Sequence, residues 1–332
     1  MRIDDTVAAA RAGDRRAVAR LITAVENHTE DAAAIAAALT GGAAPRGRPP
    51  TTATVVGVTG SPGVGKSTLV SALIGAWRQT GLRVAVLAID PSSPFSGGAI
   101  LGDRVRMADH ALDAGVYIRS VATRGHLGGL TATTGAAVRL LEGLDFDVVL
   151  VETVGVGQVE VEIAGLADTT LLLLAPGMGD AIQAVKAGVV EIADVYVVNK
   201  ADRPGADAAV RDLRAMMSLA KREPGEWRQP ICKTVAHTGE GVDELVAAIA
   251  EHRDWLSDAD RLAAKRRDRA AAEIRATVDA ELRRRHTFPE SLAAEVAEGR
   301  IDVAAAARRV LRGDADADAD DGDRETGGDR GR

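Results

Sequence analysis

The sequence predicts an α/β protein in which a mostly parallel β-sheet carries helices on both of its faces. Three observations lead to this prediction. Between residue 53 and about residue 255, short β-branched and aliphatic runs alternate with helical patterns, as expected of consecutive βαβ units. The first run leads directly into a glycine-rich stretch and then a helix, as in P-loop nucleoside triphosphatases. The regions before and after show only helical spacing of apolar residues.

Seven segments of the central region are predicted to be strands, because each is short, apolar and rich in Val, Ile or Leu. Helical patterns separate them, so parallel pairing through crossover helices is expected. In chain order the segments are TVVGVT, RVAVLAI, YIRSVA, DVVLVE, TLLLLA, VYVVN and ICKTVA.

Four parts are predicted along the chain. A glycine- and proline-rich run separates the first helical patterns from the first strand, and an acidic, low-complexity run follows the last helical pattern. The parts are an N-terminal helical segment (1–45), a P-loop domain (53–255), a helical arm (257–312) and a disordered tail (313–332).

Composition and charge exclude several classes of protein. The formal net charge of −7 argues against general nucleic-acid affinity. The single cysteine, Cys232, excludes an internal disulfide framework and fits a reducing compartment. The N-terminus lacks the apolar centre of a signal peptide, and no stretch approaches the roughly 18 apolar residues of a membrane span. We therefore expect a cytoplasmic protein without a nucleic-acid or membrane partner.

The stretch GSPGVGKST matches the phosphate-binding loop G-x-x-x-x-G-K-[ST] between a strand and a helix. Its glycines allow backbone N–H groups to surround phosphates at the positive end of the helix. Lys66 is expected to reach the terminal phosphates, and the Ser67 hydroxyl is expected to bind Mg²⁺. The predicted nucleotide-binding residues of the loop are Gly60, Ser61, Pro62, Gly63, Val64, Gly65, Lys66, Ser67 and Thr68.

The identity of the base is indicated by N-K-A-D after the sixth strand. The Asp202 carboxylate can accept hydrogen bonds from the N1–H and 2-amino groups of guanine, which adenine does not offer there. Asn199 can contact the base and tie this loop to the P-loop, while the Lys200 stem covers one face of the ring. Backbone atoms that follow the seventh strand are expected to complete the pocket, at Val235, Ala236 and His237.

The segment ETVGVGQ follows the fourth strand and is predicted to be a switch. Glu152 is placed to hold Mg²⁺, and the Gly155 N–H is placed to contact the γ-phosphate, so loss of that phosphate would release the segment. Gln158 is a candidate for orienting the attacking water, with a solvated switch residue as the alternative.

A glycine-, serine- and proline-rich loop after the second strand supplies two more acidic candidates. Asp90 and Asp103 are assigned to Mg²⁺ binding or to positioning the attacking water, against capping or turn roles. We therefore predict a magnesium-dependent site in which either Asp90 or Gln158 orients the water.

These motifs, in this order, resemble the MeaB/ArgK family, the methylmalonyl-CoA mutase-associated GTPases. The match covers about residues 14–310. It rests on GDRRAVARLITAVEN, GSPGVGKSTL, DPSSPFSGGAILGDRVRM, ATRGHLGGL, ETVGVGQ, the loop from Pro176 to Lys186, and NKAD.

The resemblance implies a GTP-hydrolysing G-protein chaperone that gates adenosylcobalamin loading and protects an acyl-CoA mutase such as methylmalonyl-CoA mutase. It implies Mg²⁺, stimulation of slow hydrolysis by the mutase, a homodimer formed by the C-terminal arm, and cobalamin adenosyltransferase as a further candidate partner. It supports Asp103 and Glu152 near Mg²⁺ and Asp202 on guanine, and places Asp180 and Lys186 in a third switch. Val159, Ala181 and Val235 depart from the family pattern.

Other functions remain open. No cobalamin-ligating D-x-H-x-x-G pattern occurs, so adenosylcobalamin is expected to belong to the partner, and scattered histidines argue against a nickel carrier. The main alternative is an ATPase or kinase component of basic amino-acid (lysine, arginine or ornithine) transport. The NKAD motif argues against this alternative because it predicts recognition of guanine rather than adenine. A nucleotide-binding module without hydrolysis is a third class.

The arm has two possible locations. Leu262, Ile274, Val278 and Leu282 form one helical stripe, which would pack either on the chain's own domain or on a second copy. Packing on a second copy is favoured because so few apolar residues could hold the arm on the chain's own domain.

Overall fold

A computed structural model describes residues 2–26, 31–41, 53–90, 107–110, 112–122, 129–153, 159–177, 192–218, 225–286 and 288–312. By contacts the chain divides into two units, Met1–Ile274 and Arg275–Arg332. The first contains the sheet and its helices. The helical arm begins within the first unit and continues into the second.

All seven predicted strands are present and form one sheet. They are β1 (Thr54–Gly60), β2 (Val84–Asp90), β3 (Val116–Ala122), β4 (Val148–Thr153), β5 (Thr169–Leu174), β6 (Val195–Asn199) and β7 (Ile231–Thr234). Their order is β3-β2-β4-β1-β5-β6-β7, and each of the six pairings is parallel. The predicted α/β class and parallel sheet are therefore confirmed.

Helices occupy the two ends of the described chain and the segments between strands. The helices before β5 are α1 (Ile3–Arg11), α2 (Arg15–Glu26), α3 (Asp31–Gly41), α4 (Lys66–Gln79), α5 (Gly129–Gly143) and α6 (Val159–Leu166). Those after β6 are α7 (Ala206–Met217), α8 (Val242–Ser257), α9 (Arg261–Arg285), α10 (Glu290–Ala297) and α11 (Val303–Arg312). Short 3₁₀ turns cover Ala108–His110 and Asp258–Asp260.

Hydrophobic clusters cover both faces of the sheet because alternate residues of a strand point to opposite faces, and the two largest lie on opposite sides of β1. In β1, Val55 joins the core beneath α5 and α6, whereas Val56 and Val58 join the core beneath α4 and α8. Aliphatic side chains fill both cores, as the low aromatic content of 2% requires. This packing holds the carboxyl ends of the central strands in a fixed arrangement.

The N-terminal helices complete the first core. Leu21 and Ile22 of α2 are fully buried with Leu141 of α5. Polar contacts add to this packing: Arg119 of β3 pairs with Glu26 of α2, and the Arg15 guanidinium donates to the Val116 carbonyl at 2.5 Å. The predicted helical N-terminal segment is thus an integral layer of the first unit.

The root of α9 (residues 265–269) is attached to the rest of the first unit by ion pairs. Arg266 donates to the buried Asp168 carboxylate at 2.9 Å, and Arg269 donates to Glu142 at 3.3 Å. These ion pairs were not predicted, because only apolar contacts between the arm and the chain's own domain were considered from the sequence. Farther along, Val278 and Leu282 are exposed.

Within the described ranges, no helix combines the length and the apolar character needed to cross a membrane.

Candidate functional site

The predicted motifs converge at the carboxyl edge of the parallel sheet. In the strand order, β1 lies between β4 and β5, and the connection that leaves β1 runs towards β2 on one side whereas the connection that leaves β5 runs towards β6 on the other. Crevices at such points are the usual ligand sites of open α/β sheets. The segments that follow β1, β4, β6 and β7 all begin at this edge.

The P-loop has the backbone conformation that its glycines were predicted to provide. Gly60, Gly63 and Gly65 have φ angles of +140°, +81° and +97°, values that residues with a Cβ rarely adopt. Gly65 immediately precedes α4, which begins at Lys66. The loop therefore presents its backbone at the positive end of a 14-residue helix.

The Lys66 side chain is folded back onto this loop. Its ammonium donates to the carbonyls of Gly60 at 2.7 Å and Ser61 at 3.0 Å, and the residue is buried. A buried ammonium held by neutral carbonyls is poised to bind an anion, because charged acceptors form stronger hydrogen bonds.

Ser67 and Glu152 form the predicted metal-binding pair. The Ser67 hydroxyl donates to Glu152 Oε1 at 2.7 Å, which joins the first turn of α4 to the end of β4, and both residues are buried. Hydroxyl and carboxylate oxygens are hard donors that suit Mg²⁺. The donor set therefore fits a magnesium ion at this position.

A further contact, between β4 and β1, was not anticipated from the sequence. Thr153, the last residue of β4, donates through its hydroxyl to the Thr59 hydroxyl of β1 at 3.2 Å, and both are buried. In the sequence, Thr59 directly precedes the P-loop and Thr153 directly follows Glu152, so each threonine stands next to a predicted motif. This bond fixes the point from which the segment 154–158 departs.

Asn199 joins three loops of the site. Its amide nitrogen donates to the Val64 carbonyl of the P-loop at 2.8 Å, as predicted. Its amide oxygen accepts from the Thr234 hydroxyl at 3.1 Å and from the Ala236 N–H at 3.2 Å. The phosphate loop and the two predicted base loops are thus held together by one buried side chain.

The residues after Asn199 differ in exposure as their predicted roles require. Lys200 has a φ angle of +57°, unusual for a residue with a Cβ, and its ammonium donates to the Gly63 carbonyl at 2.5 Å. The stem of Lys200 therefore reaches across to the P-loop. Asp202 is exposed, so its carboxylate is open to a ligand.

The predicted backbone contacts after β7 lie in a tight turn. The Val235 N–H donates to the Glu240 carbonyl at 2.9 Å. Val235 and Ala236 are buried, whereas His237 is exposed. The turn holds the backbone of this segment beside Asn199.

The remaining predicted residues lie at the end of β2 or outside the described residues. Asp90 is the last residue of β2. Outside the described residues lie Asp103, Gly155, Gln158, Asp180 and Lys186.

Comparison with known proteins decides the family. A model described as "Methylmalonyl Co-A mutase-associated GTPase MeaB" matches residues 18–290. The chain belongs to the MeaB family. Membership in this family and the P-loop fold together assign it as a GTPase.

Individual relatives agree with MeaB membership. PH0274 of Pyrococcus horikoshii is 49% identical over 83% of this chain and 86% of its own length. The mouse protein named methylmalonic aciduria type A homolog, mitochondrial, is 40% identical over 64% of this chain and 52% of its own length. A solved structure described as an LAO/AO transport system kinase superposes with a TM-score of 0.67 at 25% identity, over 93% of this chain and 96% of that one.

Proposed function

We propose that this MeaB-family GTPase is a G-protein chaperone that gates adenosylcobalamin loading into an acyl-CoA mutase and protects that mutase. The guanine-nucleotide part of this proposal rests on the three hydrogen bonds of Asn199, which join the phosphate loop to the predicted guanine loops. The mutase as partner rests on the family description and on the mouse relative's name, which refers to methylmalonic aciduria.

In the proposed reaction, water attacks the γ-phosphorus of GTP, the bond between that phosphorus and the β–γ bridging oxygen breaks, and GDP and phosphate are released. Lys66 exchanges its carbonyl partners for the β- and γ-phosphate oxygens. Ser67 and Glu152, with Asp103 and Asp90 as further candidates, would hold Mg²⁺, which would neutralise the charge that develops on the phosphates. Gln158 or Asp90 orients the water.

Coupling to the mutase is proposed to run through the segments around the γ-phosphate. Gly155 contacts that phosphate, so hydrolysis removes a contact and releases the segment after β4. The Thr153–Thr59 bond supports this proposal because it anchors the segment at its root. Asp180 and Lys186 belong to a third switch that faces the partner.

A homodimer formed by the arm is part of the proposal. In the second unit, Val278, Leu282, Phe288 and Val303 are large apolar side chains with 41–70% of their area exposed. Exposed apolar side chains in this number suit an interface. The double variant Val278→Lys with Leu282→Lys should elute as a monomer in light-scattering chromatography, while Lys66→Ala elutes as the wild-type dimer. Monomeric wild-type protein would remove the dimer from the proposal.

The partner is tested by capture of purified methylmalonyl-CoA mutase on the immobilised chain. We expect more mutase to be retained with a non-hydrolysable GTP analogue than with GDP, and single-turnover GTP hydrolysis to accelerate when mutase is added. Lys66→Ala is the control and should lose the nucleotide dependence. Equal or absent capture in both nucleotide states contradicts the chaperone role.

The alternative is an ATPase or kinase of basic amino-acid transport, which the description of the solved structure supports. It requires ATP as the substrate. Hydrolysis of ATP in preference to GTP would favour this alternative, and binding of GTP without hydrolysis would favour a simple binding module.

A further inference from the structure

A cavity of about 590 Å³ lies beside the proposed nucleotide site and shares Thr68, Ala236 and His237 with the predicted nucleotide-binding segments. One wall is formed by α4 and includes Thr68 and Ser71. The opposite wall is formed by the turn after β7 and the start of α8, including Ala236 and Asp243, and Asp109 also lines the cavity.

The cavity lies between the segment proposed to bind the phosphates and the segment proposed to bind the base. Thr68 belongs to the P-loop, where the phosphates are proposed to bind, and Ala236 belongs to the loop proposed to hold the base. The ribose of any nucleotide lies between its phosphates and its base. The part of the cavity between Thr68 and Ala236 is therefore where the ribose is expected.

Asp109 is an exposed residue that lines this cavity, and the next residue, His110, is bound to α4. The neighbouring His110 ring nitrogen lies 3.1 Å from the Ser71 hydroxyl and 3.0 Å from the Ser71 carbonyl oxygen. The His110 N–H donates to the carbonyl of the buried Met107 at 3.1 Å. Ser71 is three residues after Thr68, on the same side of α4. These contacts fix the backbone next to Asp109 about one helical turn along α4 from Thr68.

The lining is acidic and rich in hydroxyl groups. Asp109 and Asp243 supply carboxylates, Thr68, Ser71 and Thr238 supply hydroxyls, His237 supplies an imidazole, and no Lys or Arg occurs among the described residues that form it. A carboxylate accepts hydrogen bonds from ribose hydroxyls, as in dinucleotide-binding folds, and repels an added phosphate. The favoured ligand is thus a ribose with free hydroxyls.

We propose that Asp109 accepts a hydrogen bond from a ribose hydroxyl of the bound guanine nucleotide, and that the acidic cavity excludes nucleotides phosphorylated on that sugar edge. This inference rests on the proposed guanine-nucleotide site and adds a specificity-determining residue to it. Asp109 distinguishes ribonucleotides from deoxyribonucleotides.

Calorimetric titration with unlabelled ligands tests the proposal. The full chain is titrated with GDP, 2′-deoxy-GDP, 3′-deoxy-GDP and guanosine 5′-diphosphate 3′-diphosphate. For wild-type protein we expect at least one deoxy analogue to bind about 10-fold or more weakly than GDP, as for loss of a hydrogen bond to a charged group. The 3′-phosphorylated ligand should also bind more weakly than GDP. In Asp109→Ala the deoxy ratio should fall to within about 2-fold.

Asp243→Asn is the matched control, because it removes the same charge from the other wall of the cavity. It should keep the wild-type deoxy ratio. Collapse of the ratio in Asp243→Asn but not in Asp109→Ala overturns the assignment to Asp109. Equal binding of GDP and both deoxy analogues by wild-type protein overturns the ribose proposal while leaving the GTPase proposal intact. Absence of any GDP binding overturns both.

Discussion

At the scale of single residues, Asn199 and Asp202 are close in sequence but are expected to have different roles in the site. Asn199 is buried and committed to three protein hydrogen bonds, whereas Asp202 is exposed. Substitution of Asn199 should therefore lower protein stability and the affinity for every nucleotide together. Substitution of Asp202 should change which base is bound and leave the fold unaltered.

Asp202→Asn is expected to exchange guanine preference for xanthine preference. The amide offers an N–H donor where the carboxylate offered only acceptors, and xanthine carries a carbonyl oxygen where guanine carries its 2-amino group. Competition between GTP and XTP for the variant measures the change. A variant that still prefers GTP would show that Asp202 does not read the base.

Gly65→Ala is expected to abolish nucleotide binding. A Cβ at this position would lie 2.5 Å from the Asn199 amide nitrogen and would disturb its bond to the Val64 carbonyl, in addition to the strain of a φ angle of +97°. Nucleotide titration and urea unfolding of the variant give the two effects separately.

Gly81→Ala separates strain from collision. Gly81 also has a positive φ angle, +80°, but a Cβ there meets no atom within 4 Å. It should lose about 1–2 kcal/mol of unfolding free energy and keep normal nucleotide affinity. If both variants bind nucleotide normally, the proposed contact between the P-loop and Asn199 has no functional weight.

At the scale of elements, the root of α9 holds together several segments at the amino edge of the sheet. Lys265 donates to the Asp168 carbonyl at 2.8 Å and to the Asp194 carboxylate at 3.2 Å. Arg266 donates to the Ala53 carbonyl at 2.8 Å, and Arg269 donates to the Leu166 carbonyl at 3.1 Å. One helix thus fixes the end of α6 and the starts of β1, β5 and β6.

Arg266→Met is expected to destabilise the first unit by about 3 kcal/mol, because it leaves the buried Asp168 carboxylate without its bidentate partner. The adjacent Arg267→Met is the matched control: Arg267 is exposed, and its replacement should change the unfolding free energy by less than about 0.5 kcal/mol. Urea denaturation measures both. Equal effects of the two variants would show that the ion pairs of α9 contribute little.

At the scale of the whole molecule, stability is expected to depend on one buried histidine. His252 contacts the rings of both Trp227 and Trp255, which also contact each other, and its Nδ1 atom lies 2.9 Å from the Thr169 hydroxyl. Burial lowers the pKa of His252 from 6.5 to about 4, although the Asp194 carboxylate acts in the opposite direction. The unfolded chain therefore binds a proton at a higher pH than the folded chain.

The His252 contribution should be fully present above pH 6.5 and should be lost as the pH falls towards 4. At pH 5 the loss amounts to about 2 kcal/mol of unfolding free energy. Comparison with His252→Gln at pH 7 and pH 5 isolates this effect, because the variant has no ionisable ring. His237→Gln, at an exposed position, should follow the wild type. Parallel pH dependence of wild type and His252→Gln would contradict the assignment.

Local signals predicted much of the fold and the candidate site. Each strand was evident from its apolar run, and Gly60 to Thr68 form the turn and helix start that their motif predicts. The tie between Asn199 and the P-loop was also expected from the motif. Thr153, Asp109 and the basic residues of α9 escaped prediction because their significance depends on partners far away in the chain.

The sequence by itself determined the class of fold, the seven strands and the phosphate-loop motif, because backbone sterics, strand periodicity and glycine conformation act over a few neighbouring residues. Only the tertiary structure decided the strand order, the anchoring of α9 by buried ion pairs, and the cavity between α4 and α8. Those features bring together residues up to 213 positions apart, as in the Arg266 bond to Ala53. No local pattern specifies such a contact, because its energy arises only when the whole sheet and its helices have closed around it.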